Sequence, residues 1–304
     1  MTGRTGARPA VRGGLRLGVV ILPDEPWSSG GHRWRCAEEL GFDHAWTYDH
    51  LAWRDLRDGP WFATTTTLAA AATVTSTLRL GTMVASSNYR HPVPFSKEVM
   101  SLDDLSAGRF TLGLGAGSSG HDATILGEAP RSAAERADRF DEFVVLLDRL
   151  LTERDVSAAG AHFTAAEVRN LPGCVQRPRV PFAIAATGVR GMRLTARYAS
   201  TWVTYGGLDG AVDVGPEQGA RTVAAQVRRL VEVCEAAGRD PRSIDRLVLT
   251  GPQLDPCIGS VESFRDMLGR YEEAGATDVV VHWPRTSPPY AADLREFVRV
   301  MSDR

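Results

Sequence analysis

Asp49 and His50 sit near the end of "HAWTYDHLAW" (residues 44–53), where an apolar run gives way to polar residues. An imidazole beside a carboxylate can give or take a proton near neutral pH. The same residues also fit a structural histidine bonded to backbone, and the sequence leaves both readings open. Other groups able to do chemistry lie in comparable places. "SSNYRHP" carries Ser86, Tyr89, Arg90 and His91, "GSSGHD" carries His121, and "TWVTYGG" carries Tyr205. Trp27, Trp53, Trp61 and Trp283 add flat apolar surface. His91 precedes Pro92 and reads equally as a helix cap, while His32 and His44 read as structural. No two histidines have metal-ligand spacing, so no metal is expected.

Two glycine-bearing stretches suggest close approaches. "ATGVRG" (186–191) turns a strand into a helix, and free N–H groups at Thr187, Gly188 and Val189 would suit a phosphate. "LGLGAG" (112–117) puts Gly115 and Gly117 on or beside a strand, where glycine signals close approach of a ligand or of backbone. The chain has no G-x-x-x-x-G-K-[ST], so nucleoside triphosphate hydrolysis is not expected.

The elements that must position these groups alternate. Apolar runs at 15–22, 42–48, 78–85, 109–117, 181–187, 201–207, 245–251 and 277–283 read as strands. Helical patterns follow them, the longest near 132–152, where Phe140, Phe143, Val144, Leu147, Leu150 and Leu151 keep helical spacing. Apolar strands alternating with helices indicate a parallel sheet covered on its outer side, and eight such units close into an α/β (β/α)8 TIM barrel. Residues 153–180 read as an irregular insertion region between the fourth helix and the fifth strand, and 1–14 as a flexible N-terminal tail before one domain, 15–304. In such a barrel the loops after the strands carry function. The aromatic residues then ring one mouth, which suits a flat conjugated ring and an organic substrate.

Bulk properties narrow the class. A net charge of −2 offers nothing to nucleic acid or to an anionic membrane surface. The four cysteines are dispersed with no C-x-x-C, which fits a reducing cytoplasm. No apolar run approaches a membrane span, and the Gly/Arg-rich start lacks a signal-peptide core.

The stretches "ELGFDHAWTYDHL", "RLGTMVASSNYRHP", "DDLSAGRFTLGLGAG", "QRPRVPFAIAATG" and "ARYASTWV" occur in order. Together they resemble the bacterial luciferase-like family of flavin- and deazaflavin-dependent oxidoreductases, from Leu15 to the C-terminus. "YASTW" departs from the family's commoner "ADGW". The resemblance implies a TIM barrel, reduced FMN or coenzyme F420 at its mouth, and commonly a homodimer. It places His50 at the reactive ring edge as acid/base or peroxide stabiliser, with Asp49 fixing it. It implies a non-proline cis peptide at Met83–Val84, with Thr82, Met83 and Ser86 touching the ring or ribityl chain, and Ala186, Thr187 and Gly188 near the ribityl chain or phosphate. Ser118 stands where some deazaflavin relatives carry Glu. The lean from sequence is to FMN-linked monooxygenation of a small organic substrate, with a separate flavin reductase as a partner. F420-linked hydride transfer and a non-catalytic flavin-binding barrel are the alternatives.

Overall fold

Side-chain alternation decides what each strand offers to the two sides of the sheet. In β1 (Arg16–Val20), Leu17 and Val19 join the outer core while Val20 points inward. In β2 (His44–Thr47), Ala45 faces out and Trp46 faces in. The computed structural model describes residues 14–118, 120–206, 215–251 and 258–304, and all their side chains but those of Asp55 and His121. Apart from Gly14, the expected N-terminal tail lies outside the described residues.

The same alternation continues through β3 (Arg79–Thr82), β4 (Ala85–Ser86) and β5 (Phe110–Gly115). A hairpin follows, β6 (Asp155–Ala159) and β7 (Thr164–Arg169). The barrel then resumes with β8 (Phe182–Ala185), β9 (Thr201–Thr204), β10 (Asp245–Leu249) and β11 (Asp278–His282). Every barrel pairing is parallel; β1 pairs with both β2 and β11, and β3 with β5, so the sheet closes. β3 and β4 form one interrupted strand, giving the eight expected. Between Gly81, opposite Thr111, and Ala85, opposite Leu114, four steps pass against three, so this strand carries one extra residue. The Met83–Val84 peptide within that bulge is cis.

The helices are α1 (Trp27–Gly30), α2 (His32–Glu39), α3 (Thr64–Val74), α4 (Pro92–Leu105), α5 (Ala133–Thr152), α6 (Val189–Tyr198), α7 (Pro216–Ala236), α8 (Val261–Glu273) and α9 (Leu294–Asp303). The main core lies between strands and helices. Phe143, Val144, Leu147 and Leu150 of α5 are fully buried there, each contributing roughly 1.5–3 kcal/mol. Ser132 and Glu135 close a capping box that sets where α5 begins.

A second core fills the barrel, where large rings need empty positions opposite. A Cβ at Gly18 would lie 2.1 Å from the His44 ring, and one at Gly81 would lie 2.3 Å from the Trp46 ring. Those glycines make room for the two inward rings of the neighbouring strand.

The segment 153–180, expected to be irregular, carries the antiparallel β6–β7 pair instead, with Val156 opposite Val168. Glu142 of α5 pins its turn by accepting from the amides of His162 (3.0 Å) and Phe163 (2.7 Å).

Candidate active site

His50 follows β2, at the end of the barrel where the strands run out. Its Nδ1 is hydrogen bonded to Asp122 Oδ2. The other oxygen of Asp122 accepts from the Leu51 amide at 2.6 Å, so one carboxylate grips both the ring and its backbone. The Trp61 indole donates to the His50 carbonyl at 2.8 Å and fixes the segment from a third side. Nε2 takes no hydrogen bond among the described residues, and the side chain is 28% exposed. The arrangement is an oriented imidazole with one nitrogen committed and one without a partner among the described residues.

Asp49, expected to hold His50, does something else. The residue is 1% exposed, and its carboxylate takes two bonds from Arg90, at 2.5 and 2.7 Å. Burial opposes the Arg90 charge, but Asp49 outweighs it and holds the guanidinium pKa above its usual value. Arg90 also stacks 4.2 Å from the Phe95 ring centre and reaches Glu98. The pair ties β2 to the loop after β4, and the carboxylate that orients the imidazole is Asp122. Burial, with Asp49 second, pushes the Tyr89 hydroxyl up.

An aromatic wall rises on the β1–β11 side. Trp53 stacks with Trp61 (6.3 Å) and with Tyr290 (6.0 Å), and Tyr290 lies on His282 at 3.6 Å with the planes 5° apart. Tyr48 meets His50 edge-on at 6.0 Å. Trp53 and Trp61 are therefore where a mouth lining needs them.

Trp283 and Trp27 are not part of that wall. Trp283 comes one residue after the inward His282, so strand alternation turns it outward, onto Phe297 of α9 at 5.3 Å. Trp27 is on α1 and packs over Gly31. It borders a separate hollow of about 230 Å³ with Phe62 and Arg33. Tyr205 is 39% exposed just past β9, and the His121 side chain lies outside the described residues.

On the expected cofactor side, Met83 and Val84 border the inner cluster. Thr82 is fully buried and its hydroxyl donates to the Gly113 carbonyl at 2.8 Å, so it has no donor to spare for a ligand. The glycines of "LGLGAG" admit the chain itself. A Cβ at Gly115 would lie 2.5 Å from Val84, and one at Gly117, whose φ is +73°, would lie 2.3 Å from Ser86 Oγ. Ala186 is held by the Trp202 indole, which donates to its carbonyl at 2.7 Å. Thr187 is half-buried, Gly188 is exposed, and Gly188 caps the start of α6 with no side-chain hydrogen bond. A Cβ at Gly188 would meet nothing within 4 Å. Thr47 Oγ1, Ser87 Oγ and Asn88 Oδ1 are buried without a hydrogen-bond partner among the described residues. Open helix N–H groups and orphaned polar atoms beside the bulge fit a polar, phosphate-bearing ring cofactor.

Sequence reasoning missed Asp122, Tyr48 and Tyr290. Tyr48 and the polar His282 closing "VVVH" were visible as polar groups at strand ends; Asp122 sits in a single 3-10 turn and Tyr290 in a loop, neither with a spacing signal.

Known proteins agree with this architecture. The model of the luciferase-like monooxygenase family matches residues 16–256. The F420-dependent hydroxymycolic acid dehydrogenase of Mycobacterium tuberculosis is 30% identical over 80% of this chain and 64% of its own length. The 4-hydroxyprotoasukamycin monooxygenase of Streptomyces nodosus subsp. asukaensis is 31% identical over 76% of this chain and 62% of its own. The chain thus spans under two thirds of either relative. In fold, it superposes with a TM-score of 0.79 on an F420-dependent secondary alcohol dehydrogenase solved with an F420-acetone adduct, at 17% identity, covering 95% of this chain and 98% of that one. With its family model covering most of the barrel, the chain belongs to the luciferase-like monooxygenase family of oxidoreductases.

Proposed function

We propose that this chain holds a flavin-type ring at the barrel mouth and uses His50 as proton donor and acceptor towards a small organic substrate. The observation that carries the reading is the Asp122–His50 pair, which commits Nδ1 and leaves Nε2 for a substrate. The reading it supports best is hydride transfer with coenzyme F420 at an alcohol or carbonyl carbon. Bound there, the deazaflavin would supply the two-electron redox chemistry. The chain's residues would do the rest. His50 Nε2 would take the hydroxyl proton as the C–H hydride leaves, or return it in the reverse direction, and Asp122 would stabilise the resulting imidazolium. The amides at the start of α6, with Thr187 and Gly188, would hold the phosphate. Met83 and Val84 would back the ring, and Trp53 and Trp61 would exclude water.

This preference differs from the lean of the sequence, because a carboxylate-backed imidazole answers the proton demand of alcohol oxidation directly. Reduced FMN with oxygen, supplied by a separate reductase, is the second reading, favoured by the monooxygenase relative at 31% identity. Titration of the purified protein with F420, FMN and reduced FMN, followed by fluorescence, tests both. Tight binding of F420 supports the first reading, binding of FMN alone overturns it in favour of the second, and binding of none overturns the cofactor assignment.

A further inference from the structure

The hollow beside Trp27 lies between the loop after β1, the helices α1 and α2, and the start of α3. The mechanism above does not use it, and none of His50, Trp53, Trp61 and Tyr290 lines it. Trp27 and Phe62 are two exposed aromatic walls of it. Both are held in place by the chain. A Cβ at Gly31 would lie 2.7 Å from the Trp27 indole, so that ring rests on bare backbone. The Phe62 amide donates to the Pro23 carbonyl at 2.8 Å. Ile21 and Leu22 extend the apolar lining. A cavity of about 150 Å³ takes one benzene ring, so a hollow of about 230 Å³ has room for a fused pair of rings.

The polar lining narrows the ligand further. Thr66 and Thr67 both donate to the Ala63 carbonyl, at 2.9 and 3.0 Å. The Arg33 guanidinium is divided between Asp24 and Glu25, and Asp24 takes Arg285 as well, at 2.6 Å. Two cations thus meet two carboxylates, and an ion entering the hollow finds no opposite charge left over. Trp34 is the exception. It lines the hollow, is 2% exposed, and its indole N–H has no hydrogen-bond partner among the described residues. A buried indole N–H ordinarily finds an acceptor, and the hollow is the open space that this ring borders.

We propose that the hollow is a second binding site, separate from the mouth, for a neutral, flat, apolar molecule of about two fused rings that offers one hydrogen-bond acceptor to Trp34. Such sites are mostly apolar with a few placed polar groups that fix orientation, and here one donor does so. A ligand of the same shape without the acceptor would leave the indole N–H unmet and bind more weakly. The proposal stands whichever cofactor the mouth holds.

Quinoline and naphthalene test it, because they share a shape, are both uncharged at neutral pH and differ in one ring lone pair. Calorimetric titration of the full chain should show quinoline binding more tightly by about tenfold. Trp34→Phe should cut that preference to about twofold or less, with naphthalene affinity little changed. Phe62→Ala should weaken both probes by a similar factor, since it removes a wall and no donor. Excess F420 or FMN should not displace quinoline. Nitrogen-15 correlation spectra locate the site: quinoline should shift the indole signal of Trp34, assigned by connection to its own backbone, more than naphthalene does. The proposal is overturned if quinoline does not bind at millimolar concentration, if naphthalene binds as well, if the Trp34 indole signal stays in place, if cofactor displaces quinoline, or if Phe62→Ala leaves both affinities intact. Phe62 is a surface residue, so that variant and the wild-type spectra decide the matter even if Trp34→Phe does not fold.

Discussion

His44 and His50 stand six residues apart on and just past one strand, each beside an aspartate, yet they are different kinds of residue. His44 is saturated. The Trp46 indole donates to its Nδ1 at 2.6 Å, and its Nε2 meets Asp278 at 3.0 Å. Asp278 is itself gripped by Arg16 through two bonds of 2.7 Å and by Thr277 at 2.6 Å. His50 has the carboxylate but no second partner among the described residues. An Asp–His pair becomes chemical machinery only where a nitrogen is left over, and here the end of the barrel decides which pair has one.

Alanine at each position gives the sharpest way to break that contrast. His50→Ala should lower turnover by about 10²- to 10⁴-fold while leaving the unfolding midpoint near wild type. His44→Ala should do the reverse, costing about 3 kcal/mol because it orphans an indole N–H and strips Asp278 of one partner, with activity per folded molecule unchanged. Steady-state kinetics and urea titration on both proteins would decide. If His50→Ala lost stability and kept turnover, the two residues would be of one kind.

Next in size is Asp49→Ala. It would leave the Arg90 guanidinium without its bidentate partner, a loss of about 3 kcal/mol in urea unfolding. Catalysis per folded molecule should change little. A large fall in turnover with unchanged stability would return to Asp49 the orienting role that the sequence suggested. Asp122→Asn should act on rate: the amide keeps the bond to the Leu51 amide but loses the charge facing the imidazole. Turnover should fall roughly 10- to 100-fold with cofactor affinity unchanged. An equal loss of affinity would make Asp122 a structural clamp.

These partners show what the residues could and could not disclose. All eight barrel strands were legible because their apolar runs are nearly continuous. The β6–β7 hairpin was not, since "DVSAA" and "TAAEVR" are too small and polar to read as strands, and only pairing with each other and Glu142 makes them so. Trp283 could have been read correctly: period-two alternation turns it outward once His282 is taken as inward. Asp122 could not, because it lies 72 residues from His50 and no periodicity connects the two. The glycines of 113–117 were legible as close approaches, but whether ligand or chain approaches them depends on the bulge in the neighbouring strand.

His282 offers the finest test, because it is a histidine of the His44 kind standing at the His50 end. Burial lowers its folded pKa to about 3, against 6.5 unfolded. Below pH 6.5 the unfolded chain binds a proton that the native state refuses. Stability from this group is therefore complete above pH 6.5 and drains as pH falls towards 3. Between pH 7 and pH 5 the loss should be about 2 kcal/mol, read as a shift in urea midpoint. Asp278 does not interfere in that window. Burial opposes its charge but His44 and Arg16 hold its pKa below the usual carboxylate value, so its contribution is lost only at lower pH. His91, lowered by burial, adds a slope of the same sign. His282→Asn separates the two: the pH 7-to-5 difference should shrink to what His91 leaves. An undiminished slope would mean that the ring at position 282 already takes up its proton in the folded barrel.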